Sequence, residues 1–388
     1  MSELLNGRWA ETKEALLEGL QGTKKSVMGV TLENTRKYLM ESPTAGATSA
    51  GNVATLNRVI LPVIRRVMPT VIANELGGVQ PMTGPVGQIH TLRVRYADSS
   101  SNAGVTAGEE ALSPFKIAEA YSGNDSSPAK AASTATLEGA AGKRMSIQIL
   151  KQTVEAKTRK LSARWTFEAA QDAQAQQGID IEAEVMAALA QEITAEIDQE
   201  ILASLASLAG SATEQFDQNA VSGTATFVGD EHAALAVQIN RVSNLIAQRT
   251  RRGAGNWAVV SPFALTILQS ATTSAFARTT EGTFEAPTNT KFVGTLNNAM
   301  KIYVNTYAND ATDVLIGYKG SSESDAAAFY CPYIPLMSSG VVLDPSTFEP
   351  VVSFMTRYGY VELSNTASSL GNAADYLGKV SLANVSFK

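Results

Sequence analysis

The run Asp180-Ile181-Glu182-Ala183-Glu184-Val185-Met186-Ala187-Ala188-Leu189-Ala190-Gln191-Glu192-Ile193-Thr194-Ala195-Glu196-Ile197-Asp198-Gln199-Glu200-Ile201-Leu202-Ala203-Ser204-Leu205-Ala206-Ser207-Leu208 carries most of the structural information in this chain. Met186, Leu189, Ile193, Ile197, Ile201, Leu205 and Leu208 advance by three or four residues throughout, so an apolar stripe runs unbroken along one helix face. Asp180, Glu182 and Glu184 stand in the first turns, where the helix dipole favours negative charge. About thirty helical residues span roughly 45 Å at 1.5 Å per residue, long for a globular domain. The helix reads as a spine.

Charge is segregated around it. Between Trp165 and Asn240 there is no Lys or Arg, against thirteen acidic residues from Glu168 to Glu231. Just upstream, Lys143, Arg144, Lys151, Lys157, Arg159, Lys160 and Arg164 face only Glu155. Such blocks are either solvated faces or complementary surfaces that steer one subunit onto another.

Upstream of the spine the chain alternates between helical and extended patterns. Leu5, Trp9, Leu16 and Leu20 fall near helical spacing, and Thr31 is placed to cap a second short helix through Tyr38 to Met40. This arm either folds back on its own domain or reaches a neighbouring subunit. A linker-like stretch follows at 42–51, then a helical apolar pattern at 53–76 interrupted by prolines. Leu92, Val94 and Tyr96 alternate on one face of a strand from Gln88. From Ala97 to Gly142 the composition turns to Ser, Ala, Gly and Asn, and a second alternating stretch begins at Met145, Ile147 and Ile149. The expectation is an extended two-stranded projection rather than a core element.

Downstream, Leu235, Ile239, Val242 and Ile246 mark a helix ending at Arg249, Arg251, Arg252 and Gly253. Strands are expected at 256–260, 301–304, 314–317 and 328–330, with Ser261-Pro262 opening a further helix. Together they make an α/β unit. A last strand, Val351 to Leu363, has apolar or aromatic residues on both faces and is expected to be covered on both sides.

Composition narrows the functional classes. The 388 residues are 44% hydrophobic and 18% charged with a net charge of −6, a soluble globular profile without the cationic surplus of a dedicated nucleic-acid binder. Cys331 is the lone cysteine, and His90 and His232 the two histidines, so neither a disulfide nor a thiolate metal cluster is expected. Met1 to Asn6 lacks a secretory pattern, and Val59 to Ile72 is too short and too interrupted to cross a bilayer, which points to assembly in a cytoplasm without a membrane.

No catalytic constellation emerges. Gly142-Lys143 lacks the leading glycine of a phosphate loop, with Leu137 in its place and Arg144 where Ser or Thr is needed. Gly253-Ala254-Gly255 precedes a strand instead of following one, and no Gly-x-Ser-x-Gly occurs. Cys331 reads as a small buried strand residue, Glu182 and Glu184 as helix-start acids, and the Arg249 to Arg252 cluster as cations at a helix C-terminus. No catalytic, cofactor-binding or metal-ligating residue is assigned.

Six blocks resemble the major capsid proteins of T-even-like tailed phages, and they occur in the expected order. They are Val67-Met68-Pro69-Thr70-Val71-Ile72-Ala73-Asn74-Glu75-Leu76-Gly77-Gly78-Val79-Gln80-Pro81-Met82-Thr83-Gly84-Pro85-Val86-Gly87, Val154-Glu155-Ala156-Lys157-Thr158-Arg159-Lys160-Leu161, Glu168-Ala169-Ala170-Gln171-Asp172, Gly255-Asn256-Trp257-Ala258-Val259-Val260-Ser261-Pro262, Phe329-Tyr330-Cys331-Pro332-Tyr333-Ile334-Pro335-Leu336 and Thr356-Arg357-Tyr358-Gly359.

The resemblance implies an α+β chain of the Hong Kong 97-type capsid fold. It implies an N-terminal arm at 1–52, the start of a peripheral domain at 53–96 and an extended loop at 97–150. The peripheral domain with its spine helix then occupies 151–225, an axial domain 226–340, and the return to the peripheral domain 341–388. It implies self-association into hexamers and pentamers of an icosahedral head around double-stranded DNA, with scaffold, portal and decoration proteins as further partners and no sequence-specific DNA contact. No cofactor is implied. The family's proteins are longer and carry an inserted domain, for which 97–142 leaves little room. They also lose an N-terminal segment after a Glu in a Leu/Ile-x-Glu context. Leu39-Met40-Glu41 and Leu16-Leu17-Glu18 would fit that pattern, but the arm is expected here to be retained as an interlocking element. The competing readings are a cellular nanocompartment shell of the same fold and, more remotely, a hydrolytic α/β enzyme built on 226–340.

Overall fold

The computed structural model describes residues 9, 13, 14, 17, 22–41, 72–100, 104–109, 111, 121–123, 131–139, 142–177, 180–221, 228–271, 276–278, 291–297, 299–309, 313–323, 325–363 and 373–385. The expected linker at 42–51 and the periodic segment at 53–71 lie outside them, as do Leu5, Leu16 and Leu20.

Helix α1 spans Gly22–Glu41. Thr31 lies inside it and caps nothing, since its hydroxyl donates to the Met28 carbonyl at 3.0 Å, one turn back. A threonine hydroxyl satisfied in this way is as compatible with a helix interior as with a cap, which is why the residue type misled. Val27, Met28 and Leu32 of α1 enter the main core, and Trp9 and Leu17 pack against that core. The described part of the arm therefore folds back on its own chain.

Strand β1 is Gly78–Val79 and β2 is Val86–Tyr96. Strand β3 is Met145–Glu155, and β4, Lys157–Arg164, follows after Ala156 alone. Helix α2 is Phe167–Gln177 and the spine, α3, is Ile181–Leu208. Asp180 caps the spine, its side chain accepting the Glu182 N–H at 3.1 Å. Strand β5 is Glu214–Asp217, α4 is Val228–Thr250, β6 is Trp257–Val260 and α5 is Pro262–Ser270. Ser261 accepts the Ala264 N–H at 3.1 Å, so the expected cap forms. Strands β7 (Phe276–Arg278), β8 (Lys291–Leu296), β9 (Met300–Val304) and β10 (Val314–Gly317) follow. The chain ends in β11 (Ala328–Ser338), β12 (Val342–Leu343), β13 (Pro350–Glu362) and β14 (Leu377–Ala383).

Two sheets and a ribbon result. In the first sheet β13 is central, paired antiparallel with β11 and β12 on one side and with β4 on the other, and β1 adds in parallel to β11. The spine packs here through Ile193, Ile197, Ile201 and Leu205, in a core shared with Leu336, Val352, Phe354 and Tyr358. The second sheet runs β5-β14-β10-β6-β9-β8-β7. Its residues Ala258, Val260, Ile302 and Ile316 meet Leu235, Ile239, Val242 and Ile246 of α4, while Trp257, Val259, Tyr303 and Leu315 join the core that holds the spine. Helical layers on both faces explain why β6 and β10 are buried at every position.

Two expectations are corrected at the level of strands. Ala328–Tyr330 does not join the α/β unit but opens β11 of the first sheet, and the second sheet instead recruits β5 and β14 from outside 226–340. Strand order is decided by long-range pairing, which local patterns do not encode. Strand β13 is also not covered on both sides: Val352, Phe354 and Tyr358 are buried, while Val351, Ser353, Met355 and Arg357 between them are half-buried. The strand buried almost throughout is β11.

Strands β2 and β3 pair antiparallel over their whole length, from Val86↔Glu155 to Tyr96↔Met145. Met82, Val154, Phe329 and Cys331 pack at the foot of this ribbon, and Tyr96, Val105, Ala111 and Tyr121 form a small cluster at its far end.

Candidate functional site

Among the described residues the charge segregation seen in the sequence closes at a cluster around Arg159. Arg159 on β4 donates from Nε to the Tyr358 hydroxyl at 2.6 Å, and its two terminal nitrogens reach Glu196 and Glu200 of the spine, each at 2.5 Å. The Tyr358 hydroxyl donates in turn to Glu200. Burial alone would raise the Glu200 carboxyl, but Arg159 and Tyr358 together hold it below the usual carboxylate range. Burial, with Glu200 beside it, pushes the Tyr358 phenol up to about 12. A guanidinium fork against two carboxylates is a directional clamp. It ties the spine to β4 and β13, so at this point the basic and acidic blocks meet inside one subunit.

One turn of the spine also carries a buried acid. Asp198 is 1% exposed, and its Oδ1 accepts the Ile72 backbone N–H at 2.9 Å. Its Oδ2 is buried and finds no hydrogen-bond partner among the described residues. Desolvation raises its pKa to about 7, against a partly opposing effect from the Ile72 N–H. Neighbouring Gln199 exchanges amide hydrogen bonds with Asn305 at 2.9 and 3.2 Å, joining the spine to the second sheet.

The residues weighed earlier for chemistry are dispersed. Cys331 is buried in β11 among Met82, Val154 and Phe329, and burial pushes its thiol up to about 11, away from nucleophilic use. His90 is exposed on β2, whereas His232 is fully buried on α4 with its Nδ1 at 2.5 Å from the Ser270 hydroxyl. Arg252 pairs with Asp325 at 2.6 Å. Lys143 lies over the Tyr121 ring at 5.6 Å, and Arg144 holds Asp98 by its backbone N–H at 2.8 Å and its side chain at 3.2 Å. Among the described residues no group of His, Cys, Asp or Glu is placed to hold a metal ion, and no helix is long and apolar enough to cross a membrane.

What the surface does present is apolar. Val86, Met145, Ile147 and Ile149 are 53–68% exposed on one face of the ribbon. A second patch surrounds the β12–β13 hairpin. There Val342 and Phe348 are exposed, and the Phe348 ring sits 5.9 Å from that of Phe167. Exposed apolar groups gathered in this way mark interaction surfaces rather than an active site.

The comparisons with known proteins follow the same direction. The sequence model of the family described as "Major capsid protein Gp23" matches residues 53–382. The chain belongs to this family of major capsid proteins. The major capsid protein of Vibrio phage KVP40 is 30% identical across 85% of this chain and 81% of its own length. That of Enterobacteria phage T4 is 30% identical across 81% and 76%. Among solved structures, a chain from Microbacterium phage Oxtober96 has a TM-score of 0.48 at 13% identity, covering 80% of this chain and 90% of that one. The capsid of the myophage XM1 has a TM-score of 0.43 at 11% identity, covering 80% and 91%. As a major capsid protein of a tailed phage, the chain is a structural component of the virion shell, and its family consists of shell proteins rather than enzymes. The nanocompartment and hydrolase readings have no support beside this match.

For a capsid protein the meaningful sites are contacts, and sequence reading missed most of them. The Arg159 clamp had a signal in Glu196 and Glu200, one turn apart on the spine, but nothing local pointed to Tyr358. Asp198 had none, because an acid in an apolar stripe looks like any surface residue until its neighbours are known.

Proposed function

We propose that this major capsid protein takes the Hong Kong 97-type arrangement and builds its shell through the β2–β3 ribbon. In this reading the spine and the first sheet form the peripheral domain, from 53–96, 151–225 and 341–388. The ribbon with 97–150 is the extended loop. The second sheet, centred on 226–340 with β5 and β14 added, is the axial domain that meets its copies in hexamers and pentamers. Scaffold, portal and decoration proteins act on the shell so formed, and packaged DNA is held without sequence-specific contacts. The acidic stretch from Glu168 to Glu231 keeps DNA from adhering wherever it faces inward.

The observation that carries the reading is the open face of the ribbon. Ile147 and Ile149 are 68% and 67% exposed on this two-stranded element. Such ribbons are marginal alone and gain stability from a partner. Electron microscopy of the purified full chain is expected to show rings or shells, and a preparation that stays monomeric under assembly conditions would overturn it.

Val27, Met28 and Leu32 anchor the described part of the arm in the subunit's own core, and any interlocking by the arm acts alongside that of the ribbon. Retention of the arm follows for the same reason: cleavage after Glu41 would remove α1. Intact-mass measurement of particles should find the arm present, and a chain beginning at Ser42 would refute this.

A further inference from the structure

We propose that Lys319 and Glu323 form a bracket that fixes the direction of the β2–β3 ribbon relative to the second sheet. The inference rests on the reading that the ribbon is a shell contact, and it names what aims that contact. Both residues lie in the connector that leaves β10 of the second sheet and enters β11 of the first. The segment they grip, residues 74–79, runs just ahead of the ribbon, which opens at Val86.

The grip acts at both ends of that segment. A helix as short as Ala73–Leu76 leaves most of its carbonyls without partners inside it. The Ala73 carbonyl accepts the Gly77 N–H at 3.0 Å, and the Asn74 carbonyl accepts the Lys319 ammonium at 2.7 Å. Strand β1 follows, paired with β11, and its Val79 N–H donates to the Glu323 carboxylate at 2.9 Å. Lys319 and Glu323 are themselves 3.4 Å apart, with side chains 14% and 28% exposed, so water screens the pair only in part. Bonds to charged groups of this kind are shorter and stronger than neutral ones. Glycine admits the close approach: a Cβ on Gly78 would stand 2.2 Å from the Glu323 carbonyl oxygen. A further tie holds the same segment to β9, where Glu75 accepts the Tyr303 hydroxyl at 3.2 Å and faces Lys301 at 3.6 Å.

The connector is in turn anchored to the second sheet. Asn256, just ahead of β6, accepts the Lys319 N–H at 3.0 Å and donates to the Lys319 carbonyl at 2.5 Å. Arg252, beyond the end of α4, and the Tyr376 hydroxyl both donate to Asp325, at 2.6 and 3.3 Å. Past Val79 the chain stays bonded to β11, with Gln80 N–H on the Tyr330 carbonyl at 3.0 Å and Met82 N–H on that of Pro332 at 2.9 Å. A series of polar contacts therefore runs from α4 through the connector to the foot of the ribbon. The spine also packs against both sheets, but apolar packing is non-directional. Lys319 and Glu323 supply the direction, and they act as positioning residues that touch no partner themselves.

The test measures distances in unassembled full-length chains by pulsed electron spin resonance. Nitroxide labels on Ile147→Cys and Val237→Cys, 68% and 66% exposed, report the ribbon against α4. Labels on Val237→Cys and Phe292→Cys report α4 against β8 and serve as the control, and native Cys331, 3% exposed, stays unlabelled. Lys319→Met should widen the ribbon distance distribution about twofold and leave the control pair unchanged, because one restraint is lost while both cores persist. Lys319→Arg, which retains a cationic donor, should keep the native width. Glu323→Gln keeps a carbonyl acceptor for Val79 and loses only the charge. It should widen the distribution by a smaller amount, and it decides the matter if Lys319→Met disturbs the control pair. An unchanged width in Glu323→Gln, or in Lys319→Met with the control intact, would overturn the bracket, as would equal widening by Lys319→Arg and Lys319→Met. Such a failure leaves the shell reading standing, since nothing assembles in this measurement. Absence of particles from the unmodified chain in electron microscopy would instead remove the shell reading.

Discussion

The spine helix and the β2–β3 ribbon follow the same rule and arrive at opposite outcomes. In both, apolar residues recur at the period of their secondary structure. Ile193, Ile197, Ile201 and Leu205 of the spine are 1–2% exposed, whereas Ile147 and Ile149 of the ribbon are 67–68% exposed. The difference lies in what the chain provides to cover each. The spine lies against a sheet of its own subunit, and the Arg159–Glu200–Tyr358 clamp fixes its place there. Among the described residues the ribbon packs at its foot and its far end, and Ile147 and Ile149 between stay open. Periodicity tells which face is apolar. It does not tell whether the partner belongs to the same molecule.

Four measurements would break or sharpen this contrast. The largest effect is expected in the spine: Ile197→Ala should cost about 2–5 kcal/mol in denaturant unfolding of the isolated subunit, because its cavity opens in a closed core. A loss well below that range would show the spine to be less enclosed than its burial implies.

Asp198 should come next. The folded chain holds its proton to about pH 7, whereas the unfolded chain releases it near the ordinary value of 3.8. The folded state then binds more protons across that window, so stability falls as pH rises from about 4 to 7 and levels off above, by as much as about 4 kcal/mol. Asp198→Asn, which keeps the acceptor for the Ile72 N–H, should flatten this slope in urea titrations. An unchanged slope would place the titrating group elsewhere.

Arg159→Met should have a smaller effect, about 1–2 kcal/mol, because the clamp is only partly shielded from water. A double-mutant cycle with Tyr358→Phe should show coupling, and additive losses would mean the cluster does not act as a unit. The smallest change in subunit stability, within about 0.5 kcal/mol, is expected from Ile147→Ser combined with Ile149→Ser, since both side chains are in water in the isolated chain. The same double variant should lose particles. Unimpaired assembly would remove the ribbon's claim to be a contact surface.

Much of the local structure was legible in advance. The spine, the helix ending at Thr250, the Ser261 cap, strands β2, β3, β6, β9 and β10, and the pairing across the polar excursion all follow from period, caps and turn chemistry. Misplaced features share one property, which is dependence on a distant residue. Thr31 presented a cap signal, but the Met28 carbonyl satisfied it within a longer helix. Residues 328–330 looked like one more strand of the α/β unit until β13 claimed them. The two histidines and Cys331 could be named from the sequence, but only the fold places them in separate surroundings.

By itself, then, the sequence determined the element types, the charge segregation and, through its ordered blocks, the family. Those depend on neighbouring residues or on inheritance, and both are written along the chain. Tertiary structure alone decided that the described part of the arm folds home, that Arg159 meets two acids of the spine, and that Asp198 is dry. It also left the Met145–Ile149 edge in water. Each of these depends on which surfaces remain after distant strands have paired, a property of the folded subunit and of no single segment.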